Sequence, residues 1–83
     1  MTVRVRMFAA VRDAAGTAEV QVDAGPLPRL LDELCRRHGD LFARRLAVST
    51  VLVDGTAVDR EADIEVPDGA EVVLLPPVSG GDR

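Results

Sequence analysis

The feature that most limits the fold is a single strong amphipathic helix pattern set among short strand patterns. Leu27, Leu30, Leu31, Leu34 and Cys35 recur at helical spacing, which places them on one apolar stripe. Pro28 suits the first residue of this helix, where its missing N–H costs nothing. Arg36, Arg37 and His38 fill the last turn and Gly39 comes after it, as the helix dipole and a C-terminal stop favour. One helix covers only one face of a small sheet, so the strands decide the rest. Val3, Val5 and Met7 alternate with Thr2, Arg4 and Arg6, and Ala18, Val20 and Val22 alternate with Glu19 and Gln21; both stretches predict half-buried strands. Between them AAVRDAAG predicts one or two helical turns ending at Gly16, and DLFARRLA predicts a further short helical turn after the main helix. AVSTVLVDG predicts a third strand, with Asp54 and Gly55 as a hairpin turn into a strand over Thr56–Val58. DREADIEV reads as a loop or a short edge strand whose charges discourage edge pairing. Asp68 and Gly69 make the last turn, and EVVLLPP is the final strand. The order is strand, strand, helix, then several strands, without an internal repeat or linker, and it predicts one domain of the α+β class.

At 83 residues and 47% hydrophobic composition, the chain can build one modest core. Its lone cysteine, Cys35, leaves packing rather than an internal disulfide to hold the fold, and points to a reducing, cytoplasmic setting. The apolar runs fall far short of a membrane span and nothing resembles a signal peptide, so no membrane role is expected. The net charge is −4, and the chain has no tyrosine or tryptophan and only Phe8 and Phe42 as aromatics. It therefore lacks the basic patch and stacking platform of a nucleic-acid reader. All ten basic side chains are arginine, so no side-chain amine is offered to an acylating partner.

Candidate chemistry is sparse. His38 suits a helix C-terminus, and no second histidine exists to build a triad or a metal site with it. Cys35 shares the apolar stripe with Leu31; a catalytic thiol would need a base held against it in a cleft. Asp59, Glu61, Asp63 and Glu65 alternate without the central glycine and terminal bidentate glutamate of a calcium loop. Arg36, Arg37, Arg44 and Arg45 read as solvated surface. No catalytic constellation and no metal site is expected on this chain.

The end of the chain is more informative. Val72, Val73, Leu74 and Leu75 do not alternate with polar residues, so apolar side chains point to both faces of the sheet. Either the strand is central and partly shielded, or its outer face docks another protein. Pro76 and Pro77 stiffen the base of the terminal segment in an extended form, and Gly80 and Gly81 give that segment the smallest cross-section a peptide has. Residues 78–81 reach roughly 13 Å when extended, enough to present a terminus inside a narrow channel of a partner.

Three stretches, MFAAVRDAAGT, DGTAVD and DGAEVVLLPPVSGG, resemble in order and spacing the MoaD/ThiS sulfur-carrier family, most closely its molybdopterin synthase small-subunit branch, relatives of ubiquitin. PPVSGG after DG-x-E-V-x-L-L is the most specific part. The resemblance implies a β-grasp fold, a mixed sheet packed on one main helix, over residues 1–77, with residues 78–83 as a flexible tail. It implies that an ATP-using, ubiquitin-activating-like adenylyltransferase adenylates the carboxylate of Gly81. Sulfur then replaces the adenylate as a thiocarboxylate, and the molybdopterin synthase large subunit passes that sulfur to a pterin precursor for molybdenum cofactor. Val78, Ser79 and Gly80 would give the tail access to its partners, while Phe8, Val72, Leu74, Pro76 and Pro77 would form the docking surface. Catalytic residues would belong to the partners, and this chain would bind no cofactor itself.

The family pattern ends at Gly81, whereas this sequence continues with Asp82 and Arg83. While these two remain, the Gly81 carbonyl is an ordinary peptide. A processing peptidase removes them, or they are incidental remnants, or the protein acts uncleaved. The alternatives to the molybdenum route are a sulfur carrier for thiamine, cysteine or a thio-natural product, a ubiquitin-like protein modifier, and a β-grasp adaptor that carries no sulfur.

Overall fold

The computed structural model describes residues 1–77. Strand β1 (Thr2–Met7) alternates strictly between exposed and buried positions. Helix α1 (Ala9–Ala15) comes next and stops where Gly16 takes φ 77° and its N–H donates to the Arg12 carbonyl. Strand β2 (Glu19–Asp23) returns antiparallel to β1, with Val22 facing the core. A two-residue strand β3 (Gly25–Pro26) leads into α2 (Leu27–His38), the main helix. Helix α3 (Asp40–Ala47), strands β4 (Thr50–Val53), β5 (Thr56–Val58) and β6 (Glu65–Val66), and finally β7 (Glu71–Leu75) complete the described chain.

Five strands form one mixed sheet in the order β2-β1-β7-β4-β5, with β1 and β7 parallel and the other neighbours antiparallel. The last strand in sequence thus lies at the centre. The helical stripe packs against one face: Leu27, Leu30, Leu31 and Leu34 of α2 join Val3, Val5, Met7, Val22, Val51, Val72 and Leu74 of the sheet in a single core. Burying a side chain of this size contributes about 1.5–3 kcal/mol, and eleven side chains of the core are less than 2% exposed.

Two turns lock the sheet. Asp54 (φ 48°) and Gly55 (φ 85°) link the Val53–Thr56 pair of β4 and β5, the left-handed pair that a two-residue hairpin needs. Asp54 also exchanges two hydrogen bonds with Glu71: its N–H donates to the Glu71 carbonyl at 2.9 Å, and its Oδ1 accepts from the Glu71 N–H at 2.9 Å. At the other turn Asp68 Oδ1 accepts from the Thr2 N–H at 2.8 Å, while the Gly69 N–H donates to the Thr2 carbonyl. Short aspartate side chains therefore brace both the turn into β7 and the start of the strand itself.

The structure differs from the sequence reading in three places. DLFARRLA is an eight-residue helix rather than a turn, because Phe42 and Leu46, four apart, both reach the core. Pro28 occupies the second helical position, after Leu27. Within DREADIEV only Glu65 and Val66 form a strand, paired with the unforeseen β3 in a separate two-stranded sheet.

Candidate functional site

The candidate site is the end of β7 and the sheet face turned away from the helices. β7 delivers the chain from the centre of the sheet into Pro76 and Pro77, which are exposed. Because β1 is parallel to β7 and pairs Met7 with Leu74, Phe8 comes level with Leu75, and its N–H donates to the Leu74 carbonyl at 3.2 Å. Phe8 is half-buried, with the Arg6 guanidinium 5.5 Å above its ring, a cation–π contact that keeps the aromatic at the surface.

The two faces of β7 divide its apolar run. Val72 is 1% and Leu74 0% exposed, so both belong to the core, and their expected part in the docking surface is corrected. Glu71, Val73 and Leu75 are the half-buried residues of the opposite face. Register extends that face sideways: Val73 lies opposite Arg6 and Leu52, Leu52 opposite Ala57, and Leu75 opposite Thr50. The result is an apolar strip of Phe8, Leu52, Val73 and Leu75 bordered by charge. Arg4 contacts Glu19 at 3.4 Å and Glu71 at 3.9 Å, and Arg6 reaches Glu71 at 3.6 Å. Strand register is set by the polar neighbours of a run. Glu71 at the head of the strand was the available signal that Val73 and Leu75, not Val72 and Leu74, share its outward face.

Val78, Ser79, Gly80, Gly81, Asp82 and Arg83, singled out from the sequence, lie outside the described residues. The other candidates sit on the helix side. Cys35 is half-buried against the core and lines a cleft of about 310 Å³ between α2 and α3, with Leu31, Ala43, Leu46 and Arg60 among its other walls. Burial, and secondarily the Asp32 carboxylate, push its thiol pKa up, the opposite of what a nucleophilic cysteine needs. His38 packs its ring 5.0 Å from that of Phe42, and its buried Nε2 has no hydrogen-bond partner among the described residues. Glu33 receives the Arg37 and Arg36 guanidinium groups, which lower its pKa. Arg37 also donates to the Gln21 carbonyl at 3.0 Å, tying α2 to edge strand β2. Among the described residues no three or more His, Cys, Asp or Glu side chains group as metal ligands, and no helix is long and apolar enough to cross a membrane.

The family model for the ThiS family matches residues 5–81, nearly the whole chain. The chain belongs to the ThiS family. A curated relative, the molybdopterin synthase sulfur carrier subunit of Dictyostelium discoideum, is 30% identical over 86 residues, spanning 94% of each chain. Among solved structures, a putative molybdopterin converting factor subunit 1 from Pyrococcus furiosus is 28% identical with a TM-score of 0.80, covering 94% of this chain and 99% of that one. SAMP1 from Haloferax volcanii is 28% identical with a TM-score of 0.76, covering 98% of this chain and 100% of that one. This ThiS-family chain is therefore a homologue of the molybdopterin synthase small subunit in the sulfur-carrier family, with the ubiquitin-like β-grasp fold.

Proposed function

We propose that this ThiS-family chain is the sulfur carrier subunit of a molybdopterin synthase, carrying sulfur as a thiocarboxylate on Gly81. The observation that carries this reading is the family match running to Gly81, joined to a β7 that leads from the middle of the sheet straight into Pro76 and Pro77. The naming of the Dictyostelium relative supports the molybdenum branch.

In this reading a ubiquitin-activating-like adenylyltransferase uses ATP to join AMP to the Gly81 carboxylate and releases pyrophosphate. A sulfur nucleophile then displaces AMP. The large synthase subunit receives the tail, guided by Val78, Ser79 and Gly80, and moves its sulfur to a pterin precursor. This chain supplies the acyl group and the docking face, and the partners supply the catalytic groups and the ATP site. The docking face is Phe8, Leu52, Val73 and Leu75 with Pro76 and Pro77 at the exit. A peptide carbonyl has no carboxylate oxygen to attack the α-phosphorus of ATP, so a peptidase first has to remove Asp82 and Arg83. A crystal structure of CysO in complex with BexX from Amycolatopsis orientalis, whose matching chain is 25% identical over 95% of this one, supports the expectation of a docked partner.

The experiment is the intact mass of the protein isolated from its host. A form ending at Gly81, part of it with one oxygen exchanged for sulfur, is expected. Universal retention of Asp82 and Arg83, unchanged by a matching adenylyltransferase with ATP and a sulfur donor, refutes carriage. The likeness to SAMP1, a small archaeal modifier protein, favours a second reading, in which Gly81 is joined to target lysines. Protein conjugates lost on Gly81→Ala substitution would select it, and partner binding that survives this substitution without sulfur transfer would select an adaptor.

A further inference from the structure

We propose that Glu71 is a positioning residue of the docking face: through Arg6 it presets the ring of Phe8 before a partner arrives. The inference rests on the reading that this face docks a molybdopterin synthase large subunit. The backbone of Phe8 is already fixed. It is extended, at φ −133° and ψ 155°; its N–H donates to the Leu74 carbonyl at 3.2 Å, and its carbonyl accepts from the Arg12 N–H at 3.4 Å. Ala9 follows at φ 53°, a conformation that a residue with a Cβ keeps only where its surroundings impose it. The freedom that the backbone leaves is in the half-buried side chain, and the Arg6 guanidinium lies 5.5 Å from the centroid of its ring.

Arg6 is held in turn by Glu71, its Nη1 standing 3.6 Å from Oε2. The same oxygen is 3.9 Å from Arg4 Nη1, but Arg4 has a nearer carboxylate in Glu19, whose Oε2 is 3.4 Å from its Nε. Glu19 thus occupies Arg4 and leaves Glu71 to Arg6. The main chain of Glu71 is anchored independently of its carboxylate, by the two hydrogen bonds to Asp54. With the side chains of Arg6 and Glu71 47% and 37% exposed, the ion pair adds little to stability. Its effect is on order. Binding carries an entropy cost for each side chain that is mobile beforehand, and a guanidinium laid against the ring and anchored at Glu71 has removed that cost for Phe8 already. Exclusion of water on docking strengthens the cation–π contact, and the paired carboxylate keeps Arg6 from being covered as an unmatched charge.

The test is a double-mutant cycle of Glu71→Gln and Phe8→Ala, each full chain titrated by calorimetry with the large synthase subunit of the same host. Glu71→Gln alone should weaken binding about two- to fivefold, the worth of an exposed cation–π contact. It should weaken binding no further once Phe8 is replaced, because the effect runs through that ring. Proton NMR of the free protein reads the stack itself. The sequence holds two phenylalanines, one histidine and no tyrosine or tryptophan; Phe42 is 0% exposed in the helix-side core and His38 packs on it, which leaves Phe8 as the aromatic ring of this face. The Arg6 side-chain protons should lie upfield in the wild type, move fully back in Phe8→Ala and part of the way back in Glu71→Gln, with the unfolding midpoint of Glu71→Gln close to that of the wild type. If Glu71→Gln binds like the wild type, weakens binding equally with and without Phe8, or leaves the Arg6 protons in place, the inference is overturned, and a loss of binding in Phe8→Ala still upholds the docking reading. If the wild type does not bind, or Phe8→Ala binds as well as it does, the docking of Phe8 fails and takes the inference with it.

Discussion

Exchanging Leu74 and Leu75 separately for alanine tests how β7 divides its apolar run. Leu74 is 0% exposed and lies in register between Met7 and Val51, each 1% exposed. Leu→Ala removes three carbons, about 2.4 kcal/mol of transfer free energy at about 0.8 kcal/mol for each. A cavity walled by a central strand and its two neighbours collapses poorly, which brings the expected loss to about 3–4 kcal/mol. A chain of 83 residues has a total stability of about 4–12 kcal/mol, so Leu74→Ala consumes a large part of it. The midpoint of thermal unfolding should fall by roughly 12–32 °C, at about 4–8 °C per kcal/mol for a domain of this size. Leu75 is half-buried on the other face, and its loss should cost only about 1 kcal/mol. In exchange, Leu75→Ala should weaken binding to a molybdopterin synthase large subunit by about tenfold, the equivalent of about 1.4 kcal/mol. Urea and thermal unfolding followed by far-ultraviolet circular dichroism give the first pair of numbers, and calorimetry of the complex gives the last. If Leu75→Ala proves the more destabilising of the two, the phase assigned to β7 is wrong and the proposed docking strip of Phe8, Leu52, Val73 and Leu75 falls with it.

Three further outcomes rest on particular contacts. Glu33 has its pKa lowered by the Arg37 and then the Arg36 hydrogen bond, so its contribution to stability is present above its ordinary value of 4.5 and is lost as pH falls through the lowered folded value. Glu33→Gln should therefore flatten the acid limb of a stability–pH curve measured by urea unfolding, and an unchanged limb would contradict the pairing. Cys35, with its thiol pKa raised by burial and by Asp32, should react with iodoacetamide more slowly at pH 8 in the folded protein than in urea, and Asp32→Asn should speed the folded reaction slightly; equal rates folded and unfolded would contradict its placement. Asp54→Ala should cost about 1–2 kcal/mol in urea unfolding, because it leaves the Glu71 N–H without its Oδ1 partner and puts a less tolerant residue at φ 48°.

The elements whose residues carry both polar and apolar positions were legible in the sequence. Strand β1 alternates without a break, and α2 keeps its apolar stripe from Leu27 to Leu34. The Asp54–Gly55 and Asp68–Gly69 turns have residue pairs that accept left-handed backbone at the second position. β3 was invisible because its two residues, Gly25 and Pro26, are poor strand formers; only the pairing of Gly25 with Val66, far along the chain, makes them a strand. Helix α3 exceeds its local signal because an eight-residue helix is marginal by itself. Its stability comes from Phe42 and Leu46 entering a core built by distant strands, which local propensity does not report.

The candidate site shows the same division more sharply. A run of four apolar residues contains no phase, since each of the two alternations buries two of them; that ambiguity produced the misplaced Val72 and Leu74. What breaks the tie lies outside the run. Glu71 cannot enter the core unpaired without a large desolvation cost, and it meets Arg4 and Arg6 on the outer face instead. These arginines are themselves the exposed members of the alternation in β1. Once β1 and β7 are neighbours, the outward phase of one strand dictates that of the other, and Val73 and Leu75 must lie outside with them. The pairing of the first strand with the last is a long-range fact. It turns a stretch that reads as uniformly apolar into a core face and an outward face one residue out of step.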